Sequence, residues 1–417
     1  MAGPLGARQG PRGLIIAAPS SGAGKTTLTL GLIAALRRAG QQVRPFKVGP
    51  DYIDPTYLSA AADGQMCANL DPWAMRAETL ARLVGTVRHD EIAIIEGVMG
   101  LHDGPGSTAA LARATGWPIL LVVDAAKSAQ TAAAVVEGLA LRDQDLAYAG
   151  IVFNRVASPR HEAMIHSGLT QDKPVWYLPP RDDLALPSRH LGLHLATELA
   201  DMAAFLDQAA TWATPVVAAA KLAKPATMAA PLRPLTLPES HDQNTQRLAH
   251  FGLCFHYPHL QPHAGSIFLP GGYPELALQA IKADPTFLPN LREAAAAGTP
   301  IYGECGGFMV LGEAIIDAQG TRHDMAGLLP VITTFAEPKR HLGYREIDLQ
   351  ADTAFGHAGQ RWRGHEFHYT KVAWQGDAPP LLHCRDAYGK DLGPQGLRIG
   401  NVAGSYLHLI DQVASSH

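Results

Sequence analysis

The chain has 417 residues, of which 47% are hydrophobic and 17% charged, a composition typical of globular proteins with buried cores. Its length predicts two domains at about 100–200 residues each. The formal net charge of −4 gives no electrostatic basis for a nucleic-acid or membrane partner, and the four scattered cysteines, which form no CxxC pair, fit a reducing cytoplasm rather than a disulfide framework or a zinc site.

Short apolar runs alternate with longer helix-like runs through the first two hundred residues. The strand-like runs are Leu14–Ala17, Val43–Lys47, Ile92–Ile95, Ile119–Val123, Ile151–Phe153 and Val175–Leu178. Continuous apolar runs are typical of parallel strands that helices cover on both faces. Lys25–Arg38 has leucines at helical spacing and is followed by Gly40 as a stop signal. The first half therefore predicts a doubly wound α/β domain.

The composition then changes, because residues 211–243 are rich in Ala and Pro and predict a semi-extended interdomain linker. The alternation resumes with strand-like runs at Ile267–Leu269 and Pro300–Tyr302 and a helix-like run at Phe308–Ile316. The predicted limits are 1–210 for the first α/β domain, 211–243 for the linker and 244–417 for a second α/β domain.

The first functional pattern, PSSGAGKTT, runs from Pro19 to Thr27 between a predicted strand and a predicted helix. Glycines allow the backbone N–H groups to surround phosphate oxygens, and the helix N-terminus adds partial positive charge. A lysine there reaches the β and γ phosphates, and the next hydroxyl binds Mg²⁺. Pro19 replaces the usual first glycine, and an ordinary turn with a surface lysine is the alternative. The candidate nucleotide-binding residues are Ser21, Gly22, Gly24, Lys25, Thr26 and Thr27.

Carboxylates follow the next two predicted strands of this domain. Asp51 and Asp54 come after the second strand, and Glu96 and Asp103 come after the third. Parallel strands present their carboxyl ends at one edge of the sheet, and Mg²⁺ prefers oxygen ligands. Each carboxylate alone also fits a turn or a helix cap. Together they predict a metal site formed by Asp51, Glu96 and Thr26.

The second functional pattern is YGECGG, which holds Cys305 between glycines after a predicted strand and before a predicted helix. Such a strained turn exposes a nucleophile, and a helix N-terminus lowers the pKa of a thiol. The backbone amides of Gly271, Gly272 and Gly306 are candidates for an oxyanion hole. The alternative for Cys305 is a small buried apolar residue.

A thiol nucleophile requires an imidazole as base. His408, at the end of GSYLH, is the first candidate, and His365 and His368 in GHEFHY compete with it. A lone histidine is commonly structural, and that alternative applies to His365, His368 and His341.

Taken together, these motifs resemble the cobyrinic or hydrogenobyrinic acid a,c-diamide synthase family over nearly the whole chain. The segments that carry the resemblance are APSSGAGKTT (18–27), FKVGPDYIDP (46–55), NLD (69–71), EGVMGLHDG (96–104), LPGGYPE (269–275), YGECGGFM (302–309), GHEFHY (364–369) and GSYLH (404–408). The first half is similar to dethiobiotin synthetase-like P-loop enzymes. The second half is similar to flavodoxin-like class I glutamine amidotransferases of the cobyric acid synthase type.

The resemblance implies a ligase that amidates the a and c acetate carboxylates of a corrin ring. ATP with Mg²⁺ would form each acyl phosphate, and ammonia released from glutamine at Cys305 would displace the phosphate. ANLDPWAM (68–75) is similar to the branch that acts on hydrogenobyrinic acid. The resemblance also implies that Asn154 lies beside adenine. Ile410 occupies the position where related amidotransferases carry a glutamate two residues after the histidine, so a Cys–His pair is expected.

Candidate residues for the substrate or acyl phosphate are Asp51, Asp54, Asp103, Arg189 and His190, although a solvated surface is the alternative for the last two. Cobyrinic acid and another tetrapyrrole such as nickel-sirohydrochlorin stay open as substrates. A P-loop ATPase switch with a decayed amidotransferase domain and a bare glutaminase are the other classes. No nucleic-acid or membrane partner is expected, a cytoplasmic location is expected, and a homodimer stays open.

Overall fold

The computed structural model describes residues 10–170, 172–189, 192–193, 196, 199, 201–228 and 243–414, with the backbone alone at 188–189, 192–193 and 243–246. Two compact units form. The described residues up to 228, apart from Ala74–Arg76, belong to the first unit, and the others belong to the second.

The first unit is a mainly parallel sheet with helices. Its strands are β1 Arg12–Ala17, β2 Gln42–Val48, β3 Ala68–Leu70, β4 Glu91–Glu96, β5 Ile119–Asp124, β6 Tyr148–Asn154, β7 Val175–Tyr177, β8 Ser188–Arg189, β9 Gly192–Leu193 and β10 Lys224–Pro225. Its helices are α1 Lys25–Arg38, α2 Asp54–Ala61, α3 Ala77–Val84, α4 Thr108–Thr115, α5 Gln130–Arg142, α6 Pro159–His166 and α7 Met202–Ala213, with 3-10 turns at Asp182–Leu184 and Thr214–Leu222. The strand order is β3-β2-β4-β1-β5-β6-β7.

The predicted strands and the predicted helix of this unit are confirmed. All six residues of β4 are buried, and α1 has the predicted bounds Lys25–Arg38. Because β1, β2 and β4 are parallel neighbours, the loops that leave their carboxyl ends meet at one edge of the sheet. This edge carries the phosphate-loop pattern and the predicted carboxylates.

The first part of the predicted linker is not extended. Residues 211–213 complete α7, the 3-10 turn Thr214–Leu222 follows, and β10 pairs antiparallel with β1. Ala213, Val216 and Ala219 are 0% exposed. Small apolar side chains that were interpreted as linker composition instead pack on the first unit, and residues 229–242 lie outside the described part.

The second unit combines a short parallel sheet with antiparallel sheets. Its strands are β11 Leu253–Phe255, β12 Ile267–Leu269, β13 Gly271–Gly272, β14 Ile301–Glu304, β15 Ala314–Ile316, β16 Arg322–Asp324, β17 Val331–Thr334, β18 His341–Leu349, β19 Arg361–His368, β20 Lys371–Gln375, β21 Leu382–Asp386, β22 Asp391–Gln395, β23 Leu397–Ile399, β24 Val402–Ser405 and β25 Leu407–Gln412. Its helices are α8 Gln243–His250, α9 Leu278–Ala283, α10 Phe287–Ala296 and α11 Gly306–Leu311, with a 3-10 turn at Pro274–Leu276.

The four-stranded sheet β12-β14-β24-β23 has parallel β12, β14 and β24, and an antiparallel sheet has the order β22-β21-β18-β19-β25. The α/β class is confirmed. The predicted helix Phe308–Ile316 is wrong beyond Leu311, because Gly312 is extended and Ala314–Ile316 pairs as a strand with β16 and β17. The β-branched Ile315 and Ile316 favour that strand. Among the described helices, none is long and apolar enough to cross a membrane.

Candidate active sites

The loop between β1 and α1 turns through Gly22 and Gly24, whose φ angles are 81° and 95°. This left-handed region favours glycine. Because α1 begins at Lys25, directly after Gly24, the unpaired N–H groups of its first turn and its partial positive charge border the loop. A loop of this geometry can bind phosphate groups.

Lys25 links the phosphate loop to the loop that follows β4. Its Nζ atom donates to the carbonyl oxygens of Met99 at 2.6 Å and Ser20 at 3.5 Å. Burial lowers the pKa of Lys25, and the negative charge of Glu96 opposes that effect. The two loops are thereby held side by side around a buried cation.

A second buried cation, Lys47, lies at the centre of the predicted carboxylates. Its ammonium pairs with Asp54, lies 3.2 Å from Oε1 of Glu96 and lies 3.5 Å from Oδ2 of Asp51. Burial acts to lower the pKa of Lys47, but these carboxylates together raise it well above its ordinary value. Lys47 was not predicted from the sequence. A lysine inside the buried run of β2 is the feature that could have identified it as a buried cation.

The carboxylate of Glu96 also binds the start of α1. Oε1 accepts a hydrogen bond of 2.5 Å from the hydroxyl of Thr26. The other oxygen, Oε2, is buried and accepts no hydrogen bond from the residues that the structure describes. A buried carboxylate oxygen without a donor, next to a threonine hydroxyl and Asp51, has the chemistry of a Mg²⁺ ligand.

Asp51 and Asp103 each shape their own loop. Oδ1 of Asp51 accepts the N–H groups of Ile53 and Asp54, both at 3.0 Å, so the helix-cap interpretation also applies to it. Oδ2 of Asp103 accepts the N–H of Gly100 at 2.9 Å. Asp103 is exposed, and its charge acts on Lys25. The structure thus brings all four predicted carboxylates to one edge of the sheet.

Asn154, at the end of β6, forms a hydrogen bond with the phosphate loop. Its side-chain amide donates to the carbonyl oxygen of Ala23 at 3.0 Å. The neighbouring Arg155 has a φ of 62° and donates to the carbonyl oxygen of Gly22 at 3.1 Å. It also pairs with Asp124 at 2.6 Å. Arg155 directly follows the predicted residue Asn154 but was not itself predicted from the sequence.

In the second unit, Cys305 forms the strained turn between β14 and α11. Its φ and ψ angles are 47° and −105°, a conformation that costs a non-glycine residue about 1–3 kcal/mol. The backbone N–H of Cys305 donates to the carbonyl oxygen of Ser405 at 2.8 Å. The thiol is 4% exposed and lies 3.6 Å from the carbonyl oxygen of Phe367. The predicted elbow geometry is therefore present.

The glycines predicted for an oxyanion hole lie together beside this turn. A Cβ atom on Gly306 would lie 3.0 Å from the backbone nitrogen of Gly272. The N–H of Gly307 donates to the carbonyl oxygen of Pro270 at 3.0 Å, which fixes the two loops against each other. Their backbone amides are thus close to Cys305, where an oxyanion would form.

His408, on β25, is brought to Cys305 by the pairing of β14 with β24, the strand just before it. The imidazole is 1% exposed. Burial acts to lower the pKa of His408, but its contacts with the Cys305 thiol and the Glu304 carboxylate raise the pKa to about 9. The arrangement can transfer a proton between the thiol and the imidazole.

Glu304, the last residue of β14, is the carboxylate nearest to the imidazole. Its Oε2 atom lies 3.6 Å from Nδ1 of His408, and its Oε1 atom accepts the N–H of Leu409 at 3.0 Å. Glu304 was not predicted from the sequence, although it adjoins Cys305. A local sequence pattern does not show which distant side chain a residue contacts in the fold.

The competing histidines lie on β19 of the antiparallel sheet, the strand that pairs with β25. His365 is directly opposite His408 on β19. His368 contacts Glu366 at 2.9 Å and Thr370 at 3.1 Å through its two ring nitrogens. The Cys305 thiol acts on the imidazole of His408, which stays the first candidate for the base.

His341, Glu366 and His368 offer ligand atoms that all lie within 4.8 Å of one another. However, Arg345 donates to Oε2 of Glu366 at 2.5 Å, and the rings of His341 and His368 stack at 4.6 Å. Parallel stacked rings do not direct their nitrogens at a common ion, and the guanidinium already neutralises the carboxylate. The cluster is better described as an ion pair with stacked rings than as a metal site.

The candidate substrate residues Arg189 and His190 are not tested by these contacts. His190 and the side chain of Arg189 lie outside the described residues.

Two domain families match the chain in the order of these sites. Residues 14–193 match the CobQ/CobB/MinD/ParA nucleotide binding domain, and residues 248–414 match the CobB/CobQ-like glutamine amidotransferase domain. A nucleotide site and a glutamine amidotransferase site are therefore combined in one chain.

Full-length relatives share this combination. The hydrogenobyrinate a,c-diamide synthase of Rhizobium meliloti is 43% identical, over 96% of this chain and 99% of the relative. The enzyme of the same name from Rhodobacter capsulatus is 43% identical over 96% and 99%, and that from Brucella ovis is 42% identical over 96% and 98%.

Proposed function

Because the chain belongs to the hydrogenobyrinate a,c-diamide synthase family, we propose that it uses ATP and glutamine to amidate the a and c acetate carboxylates of hydrogenobyrinic acid. The observation that carries the proposal is the strained turn at Cys305 with the buried His408 beside the same glycine loop, in a chain that also has a phosphate loop with a buried lysine. One site releases ammonia, and the other activates a carboxylate that ammonia attacks.

In the glutaminase reaction, the Cys305 sulfur attacks the side-chain amide carbon of glutamine. His408 takes the thiol proton and then donates it to the leaving ammonia. The backbone amides of Gly272 and Gly306 are placed to stabilise the oxyanion of the tetrahedral intermediate. Water, with His408 as base, hydrolyses the resulting thioester to glutamate. The reaction breaks the C–N bond of the glutamine side-chain amide, and no redox cofactor takes part.

In the synthetase reaction, a substrate carboxylate oxygen attacks the γ-phosphorus of ATP and releases ADP. The amides around Ser21, Gly22 and Gly24, with Thr27, would bind the phosphates, and Lys25 would neutralise their charge. Asn154 would line the adenine side. Ammonia then displaces phosphate from the acyl phosphate and leaves the amide.

The acidic residues around Lys47 fit a Mg²⁺ ion, since Oε2 of Glu96 is buried and has no hydrogen-bond donor among the residues that the structure describes. Thr26, Asp51 and Glu96 would hold it, and a bound ion would neutralise charge on the phosphates. Lys47 itself holds Asp54 and Glu96 in place through its contacts with both carboxylates.

Asp54, Asp103, Arg189 and His190 are proposed to contact the substrate or its acyl phosphate. An ATP-binding domain over 1–210, a glutaminase domain over 244–417 and a cytoplasmic location complete the proposal.

The test is ATP turnover by the purified protein with hydrogenobyrinic acid, with glutamine or ammonium chloride as nitrogen donor. We expect turnover that requires the macrocycle and a product whose mass corresponds to two amides. Cys305→Ala should lose glutamine as donor and keep ammonia. Cys384→Ala is the matched control, because that thiol is also buried and lies on β21, which β18 and β19 separate from β25.

Folded wild-type protein without macrocycle-dependent turnover with either donor would contradict the proposed substrate. Faster turnover with cobyrinic acid than with hydrogenobyrinic acid would assign the other corrinoid. Retention of glutamine use by Cys305→Ala would contradict the proposed nucleophile.

A further inference from the structure

A Cys–His pair needs a group that fixes the orientation of the imidazole and stabilises its charged form. In this chain the position two residues after His408 is Ile410, which is 0% exposed and apolar. The third group must therefore come from another part of the second unit.

Two other buried or half-buried carboxylates of this unit already bind cations. Asp411 accepts hydrogen bonds from the guanidinium of Arg76 at 3.0 and 3.2 Å. Glu366 accepts hydrogen bonds from Arg345 at 2.5 and 2.9 Å and contacts His368. Both carboxylates are thus already oriented by arginine side chains.

Glu304 has neither of these engagements. It is 1% exposed, and its Oε2 atom faces Nδ1 of His408 at 3.6 Å. Its other oxygen is held by the N–H of Leu409, the residue next to that histidine. The carboxylate of Glu304 therefore contacts β25 at two points, the ring of His408 and the backbone N–H of Leu409. Glu304 itself ends β14, directly before the nucleophile Cys305.

We propose that Glu304 is the positioning residue of the Cys305–His408 pair, directing Nδ1 of the imidazole toward itself and leaving Nε2 for the thiol. In this arrangement Cys305 gives its proton to Nε2, the Nδ1 proton stays on the imidazole facing Glu304, and no proton moves to the carboxylate. The inference rests on the proposed glutaminase function.

The charges around the imidazole support this role. Glu304 approaches from β14, Cys305 from the elbow, and His365 lies opposite on β19. A carboxylate buried beside an imidazole stabilises the imidazolium and with it a thiolate–imidazolium pair, so the reactivity of Cys305 should depend on the charge of Glu304.

The first measurement is the alkylation rate of Cys305 by iodoacetamide between pH 5 and pH 10, followed by mass spectrometry of the peptide that carries it. We expect wild type to react readily at pH 6.5. Glu304→Gln keeps the size of the side chain and an acceptor for the N–H of Leu409 but removes the charge. It should react at least about tenfold more slowly at pH 6.5 and nearly as fast as wild type at pH 9.5, where the thiolate forms without help.

Glu304→Asp restores the charge one methylene further away and should give an intermediate profile. Glu313→Gln is the matched control, because Glu313 is half-buried and lies beyond the far end of α11. Steady-state glutaminase kinetics should show kcat of Glu304→Gln reduced about 10²-fold, with a much smaller change in KM for glutamine, since loss of an orienting carboxylate affects the transition state by up to about 10⁴-fold.

An alkylation profile of Glu304→Gln that matches wild type would overturn the proposal and leave Glu304 as an acceptor for the backbone of β25. Should Glu304→Gln not fold, proton NMR of the His408 ring distinguishes a positioning role of Glu304 from a role as backbone acceptor alone. A titration above pH 8 in wild type that moves down in Glu304→Asp supports positioning, and an unmoved titration contradicts it. A wild type that alkylates as expected but releases no ammonia from glutamine would contradict the proposed function and not this inference.

Discussion

A Cβ atom built on Gly271 would lie 2.2 Å from Cε1 of His408, closer than any real carbon contact. The ring of His408 therefore occupies the space that a side chain at position 271 would need. The ring also contacts Glu304 and Cys305, so a displaced ring would lose these contacts.

We expect Gly271→Ala to displace the imidazole and to lower glutamine-dependent amidation by about 10²-fold, the size of effect that a misplaced catalytic group produces. The measurement is amidation with glutamine and with ammonium chloride as donor. Gly138→Ala is the control, because a Cβ atom there meets nothing within 4 Å. Equal rates for both glycine variants with glutamine would show that the close approach has no catalytic importance.

Lys47 is expected to be essential for the stability of the first unit. Lys47→Met would leave Asp54 and Glu96 as buried carboxylates without their cation, at a cost of about 3–5 kcal/mol in the free energy of unfolding. Thermal unfolding at pH 7 and pH 5 tests this, and the deficit should be smaller at pH 5, because burial raises the pKa of Asp54 and this carboxyl then takes up a proton more readily.

The control for that experiment is Lys221→Met, since Lys221 is exposed. A loss of less than about 1 kcal/mol in Lys47→Met would mean that the carboxylates do not depend on this ammonium.

Thr26 is expected to act through its hydroxyl. Thr26→Val keeps the shape of the side chain and removes the group that donates to Glu96 at 2.5 Å. Macrocycle-dependent ATP turnover with Mg²⁺ should fall about 10²-fold, while ADP binding in the presence of a chelator should change little. Thr29→Val is the control, because that hydroxyl bonds only within α1, to the carbonyl oxygen of Lys25. Turnover of Thr26→Val equal to that of Thr29→Val would refute the role.

Glu366 is expected to contribute stability that depends on acid pH. Burial acts to raise its pKa, but the hydrogen bond to His368 and the charge of Arg345 lower the pKa to about 2. Because the folded-state pKa lies below the unfolded value of about 4.5, this stabilisation is present above pH 4.5 and disappears as the pH falls through 2. The difference in free energy of unfolding between wild type and Glu366→Gln should therefore shrink over that interval.

Urea unfolding at a series of pH values measures this difference. Glu337→Gln serves as the control, because Glu337 is 81% exposed in its pair with Lys371 and should change stability little. A difference between wild type and Glu366→Gln that stays constant from pH 5 to pH 2 would contradict the assigned ion pair.

Local patterns were sufficient for the parallel sheet of the first unit and for the elbow around Cys305. A buried parallel strand such as β4 is a continuous apolar run, and a strained turn requires glycines next to the nucleophile, so both features are visible in a few neighbouring residues. The predicted linker from residue 211 and the helix to Ile316 were less reliable. Alanine and isoleucine take their conformation from what they pack against, as the buried Ala213 and the paired Ile316 do.

The sequence by itself determined the α/β class and predicted the phosphate loop, the carboxylates after two strands and Cys305 and His408 as nucleophile and base, because each of these patterns lies within a short stretch of chain. Only the tertiary structure decided that Lys47 binds three of those carboxylates and that Glu304 faces His408 across 104 positions of sequence. The physical reason is that the partner of a buried charge is selected by strand pairing and by the exclusion of water, and neither is a property of neighbouring residues.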